Sequence, residues 1–192
     1  MMGALCAGAV AAVVFGAGAG VTGAGGGSAP ESAATGDSGY TVDAEGRFAP
    51  PTAFIPSAAV TYDQALVPAA SWIRVRQHTG PGGATSVDLE VTGFRPGQAY
   101  GASVHQQPCG GPAAGTGGAR YQDRPGADGD PGNEVQLDFT ADARGEGRAG
   151  VRHSWGFRRG EAASVVIEDR PGTGGARVAC FTVPFGWVTG LS

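Results

Sequence analysis

The sequence contains no lysine, and no charged residue precedes Glu31. Its 13 strongly basic side chains are all arginines; they stand against 17 acidic side chains, and the formal net charge is −4. The arginines do not gather into a basic stripe that stands out from the acids around them. Because nucleic-acid-binding proteins carry such a stripe, we predict no nucleic-acid partner.

Convincing helical periodicity is also missing. The 36 glycines and 13 prolines favour turns and short strands. Apolar and polar residues alternate instead, as where Ile73 and Val75 flank Arg74, which is the pattern of a strand with one wet face. About eight such stretches predict an all-β, antiparallel sandwich or barrel. They are 58–67, 72–78, 86–94, 98–106, 134–142, 150–157, 162–169 and 176–185.

The uncharged N-terminal segment has an apolar run followed by small residues. This order is typical of a secretory signal peptide, which we predict for residues 1–28. A membrane-spanning helix needs roughly 20 consecutive apolar residues, and the glycines from Gly16 onward interrupt such a run. We therefore expect no integral membrane span after cleavage, and a secreted or cell-surface location.

Residues 29–52 consist largely of Gly, Ser, Ala, Pro and acids. Such a composition buries too little apolar surface to offset the entropy of ordering. We predict a flexible linker at 29–52 and a folded domain at 53–188.

Cysteine is scarce, with three in the chain. Cys6 would leave with the signal peptide, so Cys109 and Cys180 would remain. An even pair in an exported protein favours a disulfide, and two free buried thiols are the alternative.

A long irregular stretch runs from Pro108 to about Asn133. Its end is crowded with oxygen-bearing side chains, but their spacing fits no standard calcium loop. We therefore predict a solvated acidic loop that contains Asp128, Asp130, Asn133 and Glu134.

Several segments together resemble the exported copper/zinc superoxide dismutases of bacteria, in particular the actinobacterial branch. The resemblance implies an eight-stranded antiparallel Greek-key β-barrel. The segments are "AAVTYDQALVPA", "GFRPGQAYGASVHQQPCG", "GGARYQ", "GNEVQLDFTADARGEG", "AASVVIED" and "GGARVACFTVPF".

The resemblance places the four copper-binding positions of that family at Ser103, His105, Ala119 and Glu168. His105 is the sole histidine among them. The chain has three histidines in all, whereas the family's copper needs four. Serine is a poor ligand while protonated, and a carboxylate is a hard oxygen donor. We therefore predict no cofactor, although copper is the family's metal.

Other features of the family are retained. Cys109 and Cys180 fall where the family places its disulfide, and Arg177 falls where it has an arginine that guides superoxide. The alternative for Arg177 is a structural role, with its side chain donating to loop carbonyls. We expect a superoxide dismutase-like domain without dismutase activity. The alternative is a metal-binding or weakly active protein that uses His105 and Glu168; the sequence identifies no partner.

Overall fold

A computed structural model describes residues 39–110, 116–126 and 129–186. These residues form nine strands and no helix, so no helix within them is long and apolar enough to span a membrane. The predicted signal peptide lies outside the described residues. The strands are β1 Tyr40–Arg47, β2 Ala59–Thr61, β3 Trp72–Thr79, β4 Thr85–Thr92, β5 Ala99–His105, β6 Phe139–Thr140, β7 Gly147–His153, β8 Ser164–Glu168 and β9 Arg177–Thr182.

The strands form two antiparallel sheets, which confirms the all-β prediction. The first sheet has the order β1-β3-β4-β7 and the second has the order β2-β9-β8-β5-β6. Ladder hydrogen bonds among the described residues do not join the sheets into a closed barrel. One hydrophobic core lies between them: Val75 and Leu89 of the first sheet belong to the same buried cluster as Ile167 and Phe181 of the second.

The first sheet shows the alternation expected from the sequence. In β4, Val87, Leu89 and Val91 are buried, while Asp88 between them is exposed. The outer face carries rows of alternating charge, in which cross-strand pairing aligns Glu45, Arg74, Glu90 and Arg148. This sheet therefore has one core face and one wet face.

Within the predicted linker at 29–52, residues 40–47 form strand β1, so the prediction is wrong for this segment, and residues 29–38 lie outside the described residues. Strand β1 pairs with β3 along all eight residues, from Tyr40 opposite Thr79 to Arg47 opposite Trp72. The inward positions of β1 are only partly buried, with Val42 and Ala44 packing against the core. The acids, glycine and alanine of this segment gave it the composition of a linker. The hydrogen bonds and packing of the eight-residue ladder with β3 offset the entropy of ordering this segment. Its own small apolar surface would not suffice.

The predicted strand at 134–142 is also shorter in the structure. Only Phe139–Thr140 forms a strand, and Gln136 makes an isolated bridge to Ser103. The Asp138 carboxylate accepts the Ala102 N–H at 3.0 Å, where a ladder carbonyl would otherwise bind. The side chain thereby replaces a backbone partner and interrupts the strand.

The disulfide between Cys109 and Cys180 is confirmed. It joins the segment after β5 to the buried middle of β9, 71 residues away. The backbone N–H of Cys109 also donates to the Thr182 hydroxyl at 3.0 Å. The start of the long loop is therefore fixed to the second sheet by a covalent bond and a hydrogen bond.

We expect the Cys109→Ser/Cys180→Ser double variant to lose about 4 kcal/mol of unfolding free energy, because the crosslink closes a long loop in the unfolded chain. Urea unfolding of the variant and the oxidised wild type measures the difference. Reduced wild-type protein is the matched control and should behave like the variant. Equal stability of oxidised and reduced protein would contradict the prediction.

Candidate functional site

One face of the second sheet brings together three of the four positions that the resemblance assigns to copper. In the β5–β8 ladder, His105 lies opposite Ser164 and Glu168 lies opposite Gly101. Opposite residues in an antiparallel pair project to the same side, and Ser103 shares that side with His105 because it is two residues away. Ser103, His105 and Glu168 therefore share one face.

Residues 116–120, which we call the covering loop, pack over this face. The backbone N–H of Gln106 donates to the carbonyl of Ala119 at 3.0 Å, so the fourth position also lies beside the end of β5. The side chains beneath the covering loop are shielded from water. Their exposed fractions are 2 % for Ser103, 0 % for His105 and 5 % for Glu168.

Both ring nitrogens of His105 are engaged by the protein. Nδ1 lies 3.0 Å from the carbonyl oxygen of Gly118, and Nε2 lies 3.1 Å from the hydroxyl of Ser103. A carbonyl oxygen only accepts, so Nδ1 carries the proton and Nε2 accepts from Ser103. In the neutral ring, the Nε2 lone pair is therefore taken up by the Ser103 hydroxyl.

Burial lowers the pKa of His105 from 6.5 to about 4. Burial penalises the charged imidazolium, and the positive charges of Arg177 and Arg120 lower the pKa further. The same positive charges also disfavour a metal cation at the ring.

Arg177 donates to the loop that covers the face. Its Nη2 donates to the carbonyl of Gly118 at 2.9 Å, and its Nη1 donates to the carbonyl of Thr116. The Gly118 oxygen thus accepts from both Arg177 and His105. These contacts match the structural role expected as the alternative for Arg177, in which its side chain donates to loop carbonyls.

A glycine allows this close approach. Gly117 has a φ of +72°, and a Cβ there would lie 2.5 Å from Cγ2 of Val166 and 3.3 Å from Cβ of His105. Only glycine adopts this backbone conformation without strain, and only a missing side chain leaves room for the loop against β5 and β8.

Arg120 supplies a partly buried positive charge beside Ala119. Its Nη2 donates to Glu168 Oε2 at 2.8 Å and to the carbonyl of Gly172 at 2.9 Å. Its Nη1 lies 3.8 Å from Glu134 Oε2. Arg120 and Glu134 also line a cleft of about 360 Å³ at the surface. The carboxylate at the last copper position is therefore already neutralised by an internal guanidinium.

Copper does not fit this set of donors. The lone pair that His105 would offer accepts from Ser103, and the Glu168 carboxylate is paired with Arg120. Ala119 has no donor atom in its side chain. Among the described residues, no three His, Cys, Asp or Glu side chains gather closely enough to hold a metal ion.

The other two histidines belong to the first sheet. His78 Nδ1 lies 3.1 Å from the hydroxyl of Thr41, and the His153 ring stacks on Trp155 with centroids 4.2 Å apart. Both residues line a separate cleft of about 270 Å³. Neither replaces a missing imidazole beside His105.

The acidic loop is more buried than predicted. Asn133 and Glu134 have exposed fractions of 0 % and 2 %, and Asn133 binds the backbone of Arg124 through both amide atoms. Asp130 is exposed as expected, and Asp128 lies outside the described residues. The prediction of a solvated loop is wrong at Asn133 and Glu134, because their polar atoms form hydrogen bonds within the fold.

Sequence reasoning missed Arg120 and assigned Glu134 to a solvated loop rather than to this site. Arg120 stands directly after Ala119 in "GGARYQ", so a cation next to a position that the resemblance assigns to copper was a signal that could have been used. Glu134 carried no comparable signal, since its burial depends on tertiary packing.

No protein-family model matches the chain, and no curated protein matches it with significance. The resemblance of the separate segments therefore stays a prediction, and the site's own geometry must support any function.

We expect the unfolding free energy to fall by about 3 kcal/mol between pH 7 and pH 4 through His105 alone. Its folded pKa lies below its unfolded value, so the unfolded chain takes up the proton first. The stability is fully present above pH 6.5 and is lost as the pH falls towards 4.

Urea unfolding of the wild type and of His105→Gln at both pH values isolates this effect, because glutamine can still donate to Gly118 but does not titrate. His153, whose pKa burial also lowers, is common to both proteins and cancels. Equal losses of stability in the two proteins would contradict the assignment of a neutral, buried His105.

Proposed function

We propose that the chain is an exported domain of the superoxide dismutase-like Greek-key type that does not dismutate superoxide. It serves as a stable secreted or cell-surface domain with a binding or structural role. The observation that carries this proposal is the engagement of both His105 nitrogens, by Ser103 and by the Gly118 carbonyl.

The chemistry of dismutation explains why this engagement matters. Copper must cycle between two oxidation states, and imidazole nitrogens hold it in both. A hydroxyl, a methyl group and a carboxylate stand at the other three positions, and none of them reproduces this coordination. The pairing of Glu168 with Arg120 at 2.8 Å supports the proposal further. If Glu168 bound a metal instead, the partly buried Arg120 guanidinium would lose its closest partner.

The retained features support the family assignment without supporting the activity. The disulfide joins the two cysteines that the resemblance pairs, and two antiparallel sheets agree with its fold class. Arg177 occupies the anion-guiding position, yet it donates to the carbonyls of Thr116 and Gly118. A guanidinium held in this way fixes a loop.

The direct test is metal loading of the 192-residue chain. After incubation with copper and zinc and then dialysis, we expect no stoichiometric copper and no superoxide dismutation above that of free copper ions. The physical reason is that the available donors are already hydrogen-bonded or ion-paired. Metal analysis and a superoxide assay on the same sample measure both quantities.

A variant that restores imidazole provides the matched comparison. In Ser103→His/Ala119→His/Glu168→His, we expect copper affinity to rise at least about tenfold, because nitrogen donors return at every substituted position. One equivalent of copper in the wild type that is lost in His105→Ala would overturn the proposal. That result would favour the alternative, a metal-binding or weakly active dismutase that uses His105 and Glu168.

A further inference from the structure

The segment between β1 and β2 exposes an apolar tip. Phe54 is fully exposed and Ile55 is 76 % exposed, and they are the large hydrophobic side chains that the described part of the chain leaves in water. No charged residue stands between Arg47 and Asp63. Contiguous apolar surface of this kind marks interaction sites more often than isolated apolar residues do.

The tip is held by a stiff frame. Pro50, Pro51 and Pro56 restrict the backbone on both sides of Phe54. The carbonyl of Pro50 accepts the N–H of Ala53 at 3.0 Å, which closes a turn before the tip. The exposed pair is thus presented by a preorganised loop, which lowers the entropy cost of binding.

An apolar cleft lies directly beside the tip. Its volume is about 220 Å³, and it is next to the disulfide. Its lining carries no charged side chain: Pro50, Pro51, Ala53, Pro56, Ser57, Val60, Cys109 and Gly110. A projecting phenyl ring and an uncharged cleft therefore belong to one continuous surface.

We propose that this surface binds a second copy of the chain, with Phe54 of each copy in the cleft of the other. In a two-fold interface, the same patch faces itself, so a projection and a cavity side by side satisfy each other reciprocally. The patch has no charges to repel or to leave unpaired when it meets itself. This self-complementarity is the reason to choose a second copy as the occupant.

The size of the patch limits the strength of the dimer. The exposed side chains present on the order of 300 Å² of surface, whereas a stable interface buries about 800 Å² per partner. We therefore expect a weak dimer whose population depends on protein concentration.

Sedimentation velocity of the full chain over an about hundredfold range of concentration tests this. We expect the wild type to move from monomer to dimer, and Phe54→Ser to weaken association at least about tenfold. The control Gln64→Ser introduces the same residue at an exposed position on the neighbouring turn and should associate like the wild type. Residues 1–38 are common to all these proteins and cannot explain a difference between them.

A second variant tests the cleft. Val60→Phe fills it while keeping Phe54, so we expect it to associate as weakly as Phe54→Ser. A mixture of the two variants restores one insertion, of Phe54 from one chain into the open cleft of the other, and should associate more strongly than either variant alone.

Thermal unfolding of each variant verifies that it is folded. A wild type that stays monomeric at every concentration overturns the proposal, as does a Phe54→Ser or Val60→Phe protein that dimerises like the wild type.

Discussion

The carbonyl oxygen of Gly118 is the point on which the candidate site depends. It accepts from His105 at 3.0 Å and from Arg177 at 2.9 Å, and so it joins β5, β9 and the covering loop. The first bond fixes the tautomer of the ring, which in turn makes Nε2 an acceptor for Ser103. Without this carbonyl, a buried imidazole and a partly buried guanidinium would each lose a partner.

An internal cation, Arg120, balances the charge of the buried carboxylate on this face. A buried carboxylate such as Glu168 is costly unless it is paired, and Arg120 pairs with it at 2.8 Å. Such a partly buried ion pair adds little net stability, but the loss of Arg120 would leave the buried Glu168 carboxylate without its charge partner. Arg120 and Glu168 therefore depend on each other, as the ligands of a metal centre would.

The sequence was sufficient for features that depend on local pattern. Alternation along β3 and β4 predicted which side chains face the core, and two cysteines predicted the disulfide. It also predicted that Arg177 could bind loop carbonyls. Features that depend on distant partners could not be found in this way. The ladder of β1 requires β3, and the interruption at Asp138 requires Ala102. The buried Glu134 carboxylate depends on the donors of Gln122 and Gly129.

Strand β1 and the loop that follows it differ in how strongly their charges oppose association with a second copy. Strand β1 is an edge strand, and edges invite pairing with another chain. Asp43 and Glu45 stand on its outer face, so two copies paired near its middle would place carboxylates against carboxylates. The loop that follows β1 has no such charges and carries the exposed Phe54 at its tip. The charge pattern therefore opposes assembly along the strand and leaves the uncharged loop as the surface on which two copies can meet.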